Sequence, residues 1–555
     1  MTSALTPWLP KSVLLLRDYD RHKFLSDLLA GVTVGLVALP LAMAFAIASG
    51  VTPQAGIYCA IVTGFLISAL GGSKTQIGGP TGAFVVVVAG IAQTYGFEGL
   101  LLCTLLAGVF LVVLGITGLG TAVKYIPRAV VIGFTNGIAV LIASTQLKDF
   151  FGLSIAHVPG DFLGRVRAVA ENWSSLSPEA TILASASLVL ILGMTRFVKR
   201  VPGSIVALVL GTAAAWTMAL PVETIQTRFG GIPSHLPGFH MPALQLGILI
   251  PLLSPAFTIT MLGAIESLLS AVVADRMSGD RHNPNVELFA QGVANIASPL
   301  FGGLPATGAI ARTAINIRSG AKTPVAGMIH AVTLLAILVF AAGLAGHVPL
   351  AVLAAILVVV AYNMGEWREI PEILKLSKGD IAVWLITFAL TVFADLTVAV
   401  EAGMILAALL YIRKVTVTTT VARVTPEYVR QGFPHSLQTN ELPEGVAVYR
   451  IHGPFLFGAT DKLSVIEDEF DSLPRVVMLR LRNMTAIDAT GLHALERLAD
   501  RLHASGRHLV ICGIRDQPTK LMSQTEFHRH LGEDNIQPSL EAAIARAKIL
   551  LAHSA

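Results

Sequence analysis

Apolar residues run along most of the chain in long stretches that leave no polar face. They fall near 28–50, 54–70, 79–95, 99–118, 128–147, 179–198 and 203–220, then near 249–275, 287–301, 304–317, 323–346, 348–364, 380–395 and 397–412. A helix rises about 1.5 Å per residue, so roughly twenty such residues cross the hydrocarbon core of a bilayer. The pattern predicts an α-helical polytopic membrane protein of fourteen spans, arranged as seven plus seven. Seven is odd, so the second set enters the membrane upside down relative to the first, the arrangement of an inverted repeat. Several runs are shorter than twenty residues, 287–301 above all, and the count therefore leans on the repetition as well as on hydropathy.

After Lys414 the pattern changes. A Thr-rich stretch, Val415 to Val421, and a Pro- and Gly-containing segment up to Glu444 read as a linker. Alternating runs at 446–451, 475–481 and 508–512 predict strands, and 461–472, 491–505 and 539–552 predict helices, which together make a small α/β domain. The expected organisation is a cytoplasmic N-terminal segment over 1–26 and a transmembrane transport domain over 27–415, with repeats of about 27–220 and 245–415. A linker over 416–440 and a soluble domain over 441–555 follow.

Composition strengthens the membrane reading. Mean hydropathy is +0.70, 54% of residues are hydrophobic and only 13% are charged. The net charge of +4 is small, and its basic residues sit between apolar runs, where they report topology and give no basis for a nucleic-acid partner. With a cytoplasmic N-terminus, the inner loops carry Lys74, Lys124, Arg128, Arg196, Lys199, Arg200, Arg276, Arg281, Arg318, Lys322, Arg368, Lys375 and Lys378. The outer loops carry only Lys148, Arg165, Arg167 and Arg228. This asymmetry returns the chain to the cytoplasm after Arg413. Residues 1–26, with Arg17, Asp18 and their charged neighbours, lack the apolar core of a signal peptide. Cys59, Cys103 and Cys512 are scattered and suggest neither a disulfide nor a metal site. No Walker sequence, CxxC pair, HExxH or nucleophile elbow is present, so no enzymatic activity and no cofactor are expected.

Two glycine-rich motifs interrupt the hydrophobic stretches: Gly78 to Ala83 (GGPTGA) and Gly302 to Ala309 (GGLPATGA). Each is followed by about a dozen helical residues, half of what a span needs. Broken helices at matching positions of two repeats point to a transporter's substrate site, since their N-termini present backbone N–H groups and positive dipole ends at mid-membrane. Glycine lets a ligand approach the backbone, and Thr81 offers a hydroxyl. Arg312 lies one turn into the second half-helix, where a guanidinium needs a partner: the substrate, Glu266 or backbone carbonyls. Glu266 stands mid-span with Ser270 on the same helical face. It either couples transport, by carrying a proton or, with Ser270, holding a sodium ion, or forms a permanent ion pair. Asp27, Asp275, Asp380 and Asp395 read as caps or interface residues, and His330 as a packed, hydrogen-bonded histidine.

The run Ala30 to Val51 (AGVTVGLVALPLAMAFAIASGV), the two glycine motifs and Asn285 to Asn295 (NVELFAQGVAN) resemble the sulfate permease (SulP) family. The C-terminal part resembles a STAS domain. The resemblance implies core and gate domains, a homodimer, an elevator-like movement, and a bacterial inner membrane location with the N-terminus and STAS domain cytoplasmic. It places Phe45, Thr81, Gly82, Ala83, Gly308, Ala309 and Arg312 around the anion, and Glu266 and Ser270 at the coupling ion. Within the family the chain is similar to bicarbonate and dicarboxylate carriers. It departs from the sodium-coupled members in having Glu266 for aspartate and Ile310 for threonine, and from many sulfate-transporting members in having Leu41 for glutamine. These departures make proton symport as credible as sodium coupling. In the C-terminal part, Ile487 to Leu492 (IDATGL) matches the phosphorylatable loop of soluble STAS proteins, with Thr490 at the hydroxyl position. Asp488 or Thr490 equally fits a helix cap.

The expected function is secondary active transport of a small oxyanion or carboxylate: bicarbonate, sulfate or a C4-dicarboxylate. A passive anion channel on the same fold, or a membrane-tethered regulator whose STAS domain binds a cytoplasmic partner, are the competing readings.

Overall fold

The structure, a computed structural model, describes residues 8–16, 19–121, 127–155, 158–198, 202–234, 238–243, 246–394, 396–424 and 442–552. Arg17, Asp18, Lys124, Lys199, Arg200, Asp395 and most of the linker, 425–441, lie outside the described residues. The chain divides into two units, Met1–Ile405 and Leu406–Ala555.

Each of the fourteen apolar stretches contains all or part of a helix. In order these are α1 (Arg21–Ala48), α2 (Pro53–Leu70), α3 (Val85–Ile116), α4 (Arg128–Phe151), α5 (Pro178–Phe197), α6 (Gly203–Thr217), α7 (Leu246–Ser278), α8 (Pro284–Leu300), α9 (Ile310–Arg318), α10 (Val325–Gly346), α11 (Leu350–Met364), α12 (Lys378–Phe393) and α13 (Leu396–Thr418). Among the described residues, eight helices are long and apolar enough to cross a bilayer. Helix starts follow local chemistry. Asp20 accepts the Lys23 N–H at 2.7 Å to cap α1, Asn283 caps α8, and prolines open α2, α5 and α8. Helix α3 holds two of the apolar stretches, divided at Gly96, whose φ of 72° breaks the helix after about a dozen residues. Proline or left-handed glycine marks such breaks because neither continues the hydrogen-bond ladder.

The helices pack in two groups. In the first, α10 lies on α1 and α2, and α8 lies on α3 and α2, with α7 against α3 and α9. In the second, α4 packs on α11 and α12, and α5 on α11 and α6. Each group takes consecutive helices from both halves of the chain, as a twofold-repeated architecture requires.

The second unit holds a five-stranded sheet of order β3 (Thr420–Arg423), β4 (Val446–Phe455), β5 (Val476–Ile487), β6 (His508–Cys512), β7 (Ile536–Gln537), antiparallel at β3–β4 and parallel elsewhere. β-strand alternation divides its core: Val477, Leu479 and Leu481 face α14 (Ala489–Ala504), while Val476 and Met478 face the C-terminal helix Leu540–Ala552. Two sequence expectations shift. The Thr-rich stretch assigned to the linker contributes β3, because its β-branched residues suit the free edge of β4. The helix expected over 461–472 is a 3-10 segment Phe457–Leu463, a single α-turn Ser464–Glu467 and a 3-10 turn Phe470–Ser472. Its apolar anchors Ala459, Leu463 and Ile466 are buried, and Phe470 is held separately under the Arg501 and Arg507 guanidinium groups.

Candidate functional site

The two glycine motifs meet. Gly78 and Gly79 form β1, Thr307 and Gly308 form β2, and they pair antiparallel, Gly78 opposite Gly308 and Gly79 opposite Thr307. Ala309 N–H donates to the Ile77 carbonyl at 2.8 Å and extends the pairing. Two loops that leave the helical ladder inside a bilayer thus satisfy each other's backbone groups, which lipid could not do. Directly after each strand a helix starts: a 3-10 turn at Gly82–Phe84 leading into α3, and α9 at Ile310. A side chain at Gly79, where φ is 152°, would run into the Arg312 guanidinium, and one at Gly308 would run into Gln76. Glycine is required at both for close approach.

Polar side chains from neighbouring helices fix this crossover. Asn295 accepts the Ala306 N–H and donates to the Ala306 carbonyl, both at 2.8 Å; Ser298 donates to the Leu304 carbonyl at 2.6 Å. Thr307 Oγ1 donates to the Gly263 carbonyl of α7 at 2.8 Å. Asn316 donates to the Thr75 carbonyl at 2.9 Å, and Thr313 Oγ1 accepts the Ile77 N–H at 3.1 Å. Glu287 accepts the Gly72 and Ser73 N–H groups at 2.9 and 3.0 Å. The segment Asn285 to Asn295 is therefore a clamp on the two loops. Asp27 is an interface residue of the same kind, accepting the Lys322 and Thr323 N–H groups from across the unit.

Beside the crossover lies a cavity of about 490 Å³, lined mainly by apolar side chains. One wall holds Phe45 of α1, Thr81, Gly82 and Ala83, Glu266 of α7, and Ala309 and Arg312. Gly308 and Ser270 stand behind that wall: Gly308 is engaged in β2, and Ser270, fully buried, is hydrogen-bonded to Thr313 at 3.2 Å. Arg312 is only 2% exposed. Its Nη2 donates to the Pro80 carbonyl, so a backbone carbonyl and not Glu266 is its partner, and its Nη1 meets no hydrogen-bond partner. Glu266 accepts the Thr81 hydroxyl at 2.9 Å. One wall of the cavity thus holds both a buried cation with unused donor capacity and a carboxylate, in low-dielectric surroundings that strengthen either charge.

The facing wall was not foreseen. It comes from the second helix group: Phe134 and Thr135 of α4, Asn363 and Met364 of α11, Glu366 and Met404. Most of these read as ordinary span residues; the polar interruptions Asn363 and Glu366 at the end of an apolar run were the one available signal. His330 is packed as expected, fully buried on α10 with the Gly327 backbone beside its ring. In the second unit Asp488 is the helix cap, its two oxygens accepting the Gly491 N–H at 2.8 Å and the Phe457 N–H at 3.0 Å, and Thr490 is exposed in the first turn of α14.

Comparison with known proteins gives a consistent result. The profile of the sulfate permease family matches residues 24–387, and that of the STAS domain matches 439–543. YvdB of Bacillus subtilis is 40% identical over 522 residues, covering 94% of this chain and 97% of YvdB. The bicarbonate transporter BicA of Synechocystis is 32% identical over 539 residues, 95% of this chain and 94% of BicA. Among solved structures, the transmembrane domain of a cyanobacterial BicA superposes with a TM-score of 0.63 at 34% identity, covering 69% of this chain and 98% of that domain. Murine Slc26a9, an anion transporter solved in an inward-facing state, superposes with a TM-score of 0.87 at 18% identity over 99% of this chain and 95% of its own, a likeness of fold. With its membrane unit, its paired glycine motifs and its C-terminal sheet all accounted for, the chain belongs to the sulfate permease family and carries a STAS domain at its C-terminus.

Proposed function

We propose that this protein is a secondary carrier that moves a small oxyanion or carboxylate across the bacterial inner membrane together with a cation. The observation that carries this reading is the buried Arg312 guanidinium, with one nitrogen unpartnered, in the wall of a cavity beside two helix starts. An anion bound there gains charge-assisted hydrogen bonds that water and lipid cannot supply. Phe45, Thr81, Gly82, Ala83, Gly308 and Ala309 shape or support the anion's place. Glu266 holds the coupling proton. A proton is favoured over sodium because Ser270, the residue expected to share the ion with Glu266, stands outside the cavity with its hydroxyl engaged by Thr313. The substrate class is that of bicarbonate, sulfate and the C4-dicarboxylates; two relatives are named bicarbonate transporters.

The cavity lies where the two helix groups face each other, which supports a movement of one group against the other, an elevator-like shift. Fourteen spans, a cytoplasmic N-terminus and STAS domain, and a homodimer complete the proposal, with the STAS domain available to a cytoplasmic partner. The test is uptake by reconstituted vesicles of radiolabelled bicarbonate, sulfate, fumarate and succinate, with and without sodium at two pH values. One of these anions is expected to accumulate under an inward proton gradient. Uptake that only equilibrates would replace the carrier by a channel or uniporter, and no uptake at all would favour a regulatory protein.

A further inference from the structure

The second unit holds a cavity of about 540 Å³ formed by its own residues alone. It opens where the sheet is stepped. Strand β6 stops at Cys512, opposite Arg480, while β5 runs on to Ile487. Gly513, with a φ of 70°, turns the chain away there and donates its N–H to the carbonyl of Gln537, the last residue of β7. Parallel strands that end side by side leave a crevice beyond their carboxyl ends, the usual ligand position in open α/β sheets. Its walls are Arg480 and Arg482 of β5, the loop 512–516, and residues 538–541.

Three arginines line this crevice: Arg480, Arg482 and Arg515. Arg480 lies in register with Arg450 of β4, so like charges stand opposite each other on neighbouring strands, an arrangement that costs stability. From Arg450 to His452 β4 advances two residues, while their partners on β5, Arg480 and Asn483, are three apart. This bulge falls at Arg482 and re-aims the strand there. Arg515 donates from Nε to the Arg482 carbonyl at 2.7 Å, which fixes its guanidinium against the bulge. Among the described residues neither Arg482 nor Arg515 is paired with a carboxylate. The acids of the lining, Asp516 and Glu541, each lie in the first turn of a helix, Asp516–Gln524 and Leu540–Ala552, whose dipole favours them. The Arg480 guanidinium is pushed below its ordinary pKa by burial and by the Arg482 and Arg450 charges, against the opposing pull of Cys512 and Glu541. Positive charge is in excess, and Ser539, whose Oγ accepts the Ala542 N–H, keeps its own proton to donate.

We propose that this crevice binds the phosphate ester of a small polar metabolite, with Arg482 and Arg515 on the phosphate and Arg480 adding to the positive potential behind them. A guanidinium presents its N–H donors in a planar fork. Two such forks, one from the strand and one from the loop, match the several oxygens and double charge of a tetrahedral phosphate better than the two oxygens of a single carboxylate. The volume falls among those of small-molecule sites, about 300–1,000 Å³, and exceeds what an isolated phosphate fills. No aromatic side chain stands among the described lining residues, so a nucleobase finds no face to stack on. Ser539, Asp516 and Glu541 instead offer hydrogen-bond partners to hydroxyl groups. A sugar phosphate meets all of these conditions, and free phosphate and sulfate share only its anionic head.

The test is calorimetric titration of the full-length chain in detergent with glucose 6-phosphate, inorganic phosphate, sulfate and AMP. Glucose 6-phosphate should bind roughly tenfold or more tightly than phosphate or sulfate, and at least as tightly as AMP. Arg482→Gln and Arg515→Gln, both at exposed positions, should each weaken it by about tenfold or more, the loss of one charge-assisted contact. Arg312→Gln, in the membrane unit, should leave it within about twofold of wild type. Should one of the two arginine variants fail to fold, the other decides. Wild-type affinity in either variant that folds overturns the site, as does loss of binding in Arg312→Gln, which would move the signal to the membrane cavity. Failure of all four compounds to bind wild type at about 10 mM overturns it as well. AMP bound about tenfold tighter than glucose 6-phosphate, or phosphate and sulfate bound as tightly as it, overturns the sugar phosphate as the ligand class.

Discussion

The beginnings of two helices invite the same functional reading, and the structure separates them. At α9 the nearby side chain is Arg312, which lines the cavity, with Nη2 satisfied by the Pro80 carbonyl and Nη1, packed against Gly79, without a partner. At α14 the nearby side chain is Asp488, and both of its oxygens are already used, one on the Gly491 N–H and one on the Phe457 N–H. Both motifs carry a Thr-Gly pair at a helix start, so the residue types do not distinguish them. Unspent hydrogen-bonding capacity does. A polar group whose partners are all within the fold holds structure together, whereas one left incomplete in a low-dielectric place is poised for a ligand.

The largest effect that can break this contrast is at Arg312. Replacement by glutamine keeps a donor for the Pro80 carbonyl and removes the charge, and anion uptake should fall about 100-fold, the range of a lost charge-assisted contact of roughly 3 kcal/mol. Size-exclusion behaviour should be unchanged. Lysine should restore only part of the uptake, because it cannot serve the carbonyl and the anion with one planar fork. Full uptake by Arg312→Gln would mean that the unpartnered nitrogen is incidental.

Glu266 is next. Its carboxylate accepts one hydrogen bond, from Thr81, and otherwise faces the cavity. Glu266→Gln imitates the protonated form, so it should keep exchange at equal pH within a fewfold of wild type and lose accumulation against a gradient. Its uptake should also no longer respond to an inward proton gradient, since the titrating group is gone. Retained accumulation would transfer the coupling role elsewhere.

How much of this was legible in the chain depends on whether chemistry is local. The paired glycine motifs, Arg312 and Glu266 could be found because repetition, or a charge in an apolar run, marks them, whereas Phe45 came only from the family resemblance. Their meeting in one wall is what the repeat implied. The facing wall was hidden, since Phe134 and Met364 look like any span residue and only the packing of α4 and α11 brings them to the cavity. Asn295 looked like part of a family motif without a task, and its task is to hold both backbone groups of Ala306, eleven residues later. Likewise β3 was hidden in a Thr-rich stretch because an edge strand is recognised by its partner, and β4 lies beyond the linker.

Asn295 sharpens the comparison from the structural side, as a group whose capacity is wholly spent. Asn295→Ala leaves a buried N–H and carbonyl of Ala306 unmet, each costing about 1–3 kcal/mol. The detergent-solubilised protein should unfold at a temperature several degrees lower. Uptake should fall with the folded fraction, without a change in anion preference or in coupling. A changed preference with unaltered stability would place Asn295 among the site residues instead.

The smallest effects belong to α14. Loss of the Asp488 cap should weaken the first turn by about 1 kcal/mol, so in the full chain the Gly491 and Leu492 amides should exchange hydrogen roughly fivefold faster in Asp488→Ala, with transport little changed. Thr490 is exposed and its hydroxyl caps nothing, so Thr490→Ala should shift stability by less than about 0.5 kcal/mol. The exposed hydroxyl is nonetheless where a phosphate would be best tolerated, at a helix N-terminus whose dipole favours added negative charge. Thr490→Glu should therefore leave α14 intact, and any change it makes in uptake has to come from a partner reading the surface. If Thr490→Ala instead loosened α14 as much as Asp488→Ala, its hydroxyl would be structural after all, and the division between spent and unspent groups would fail in the unit where it is easiest to measure.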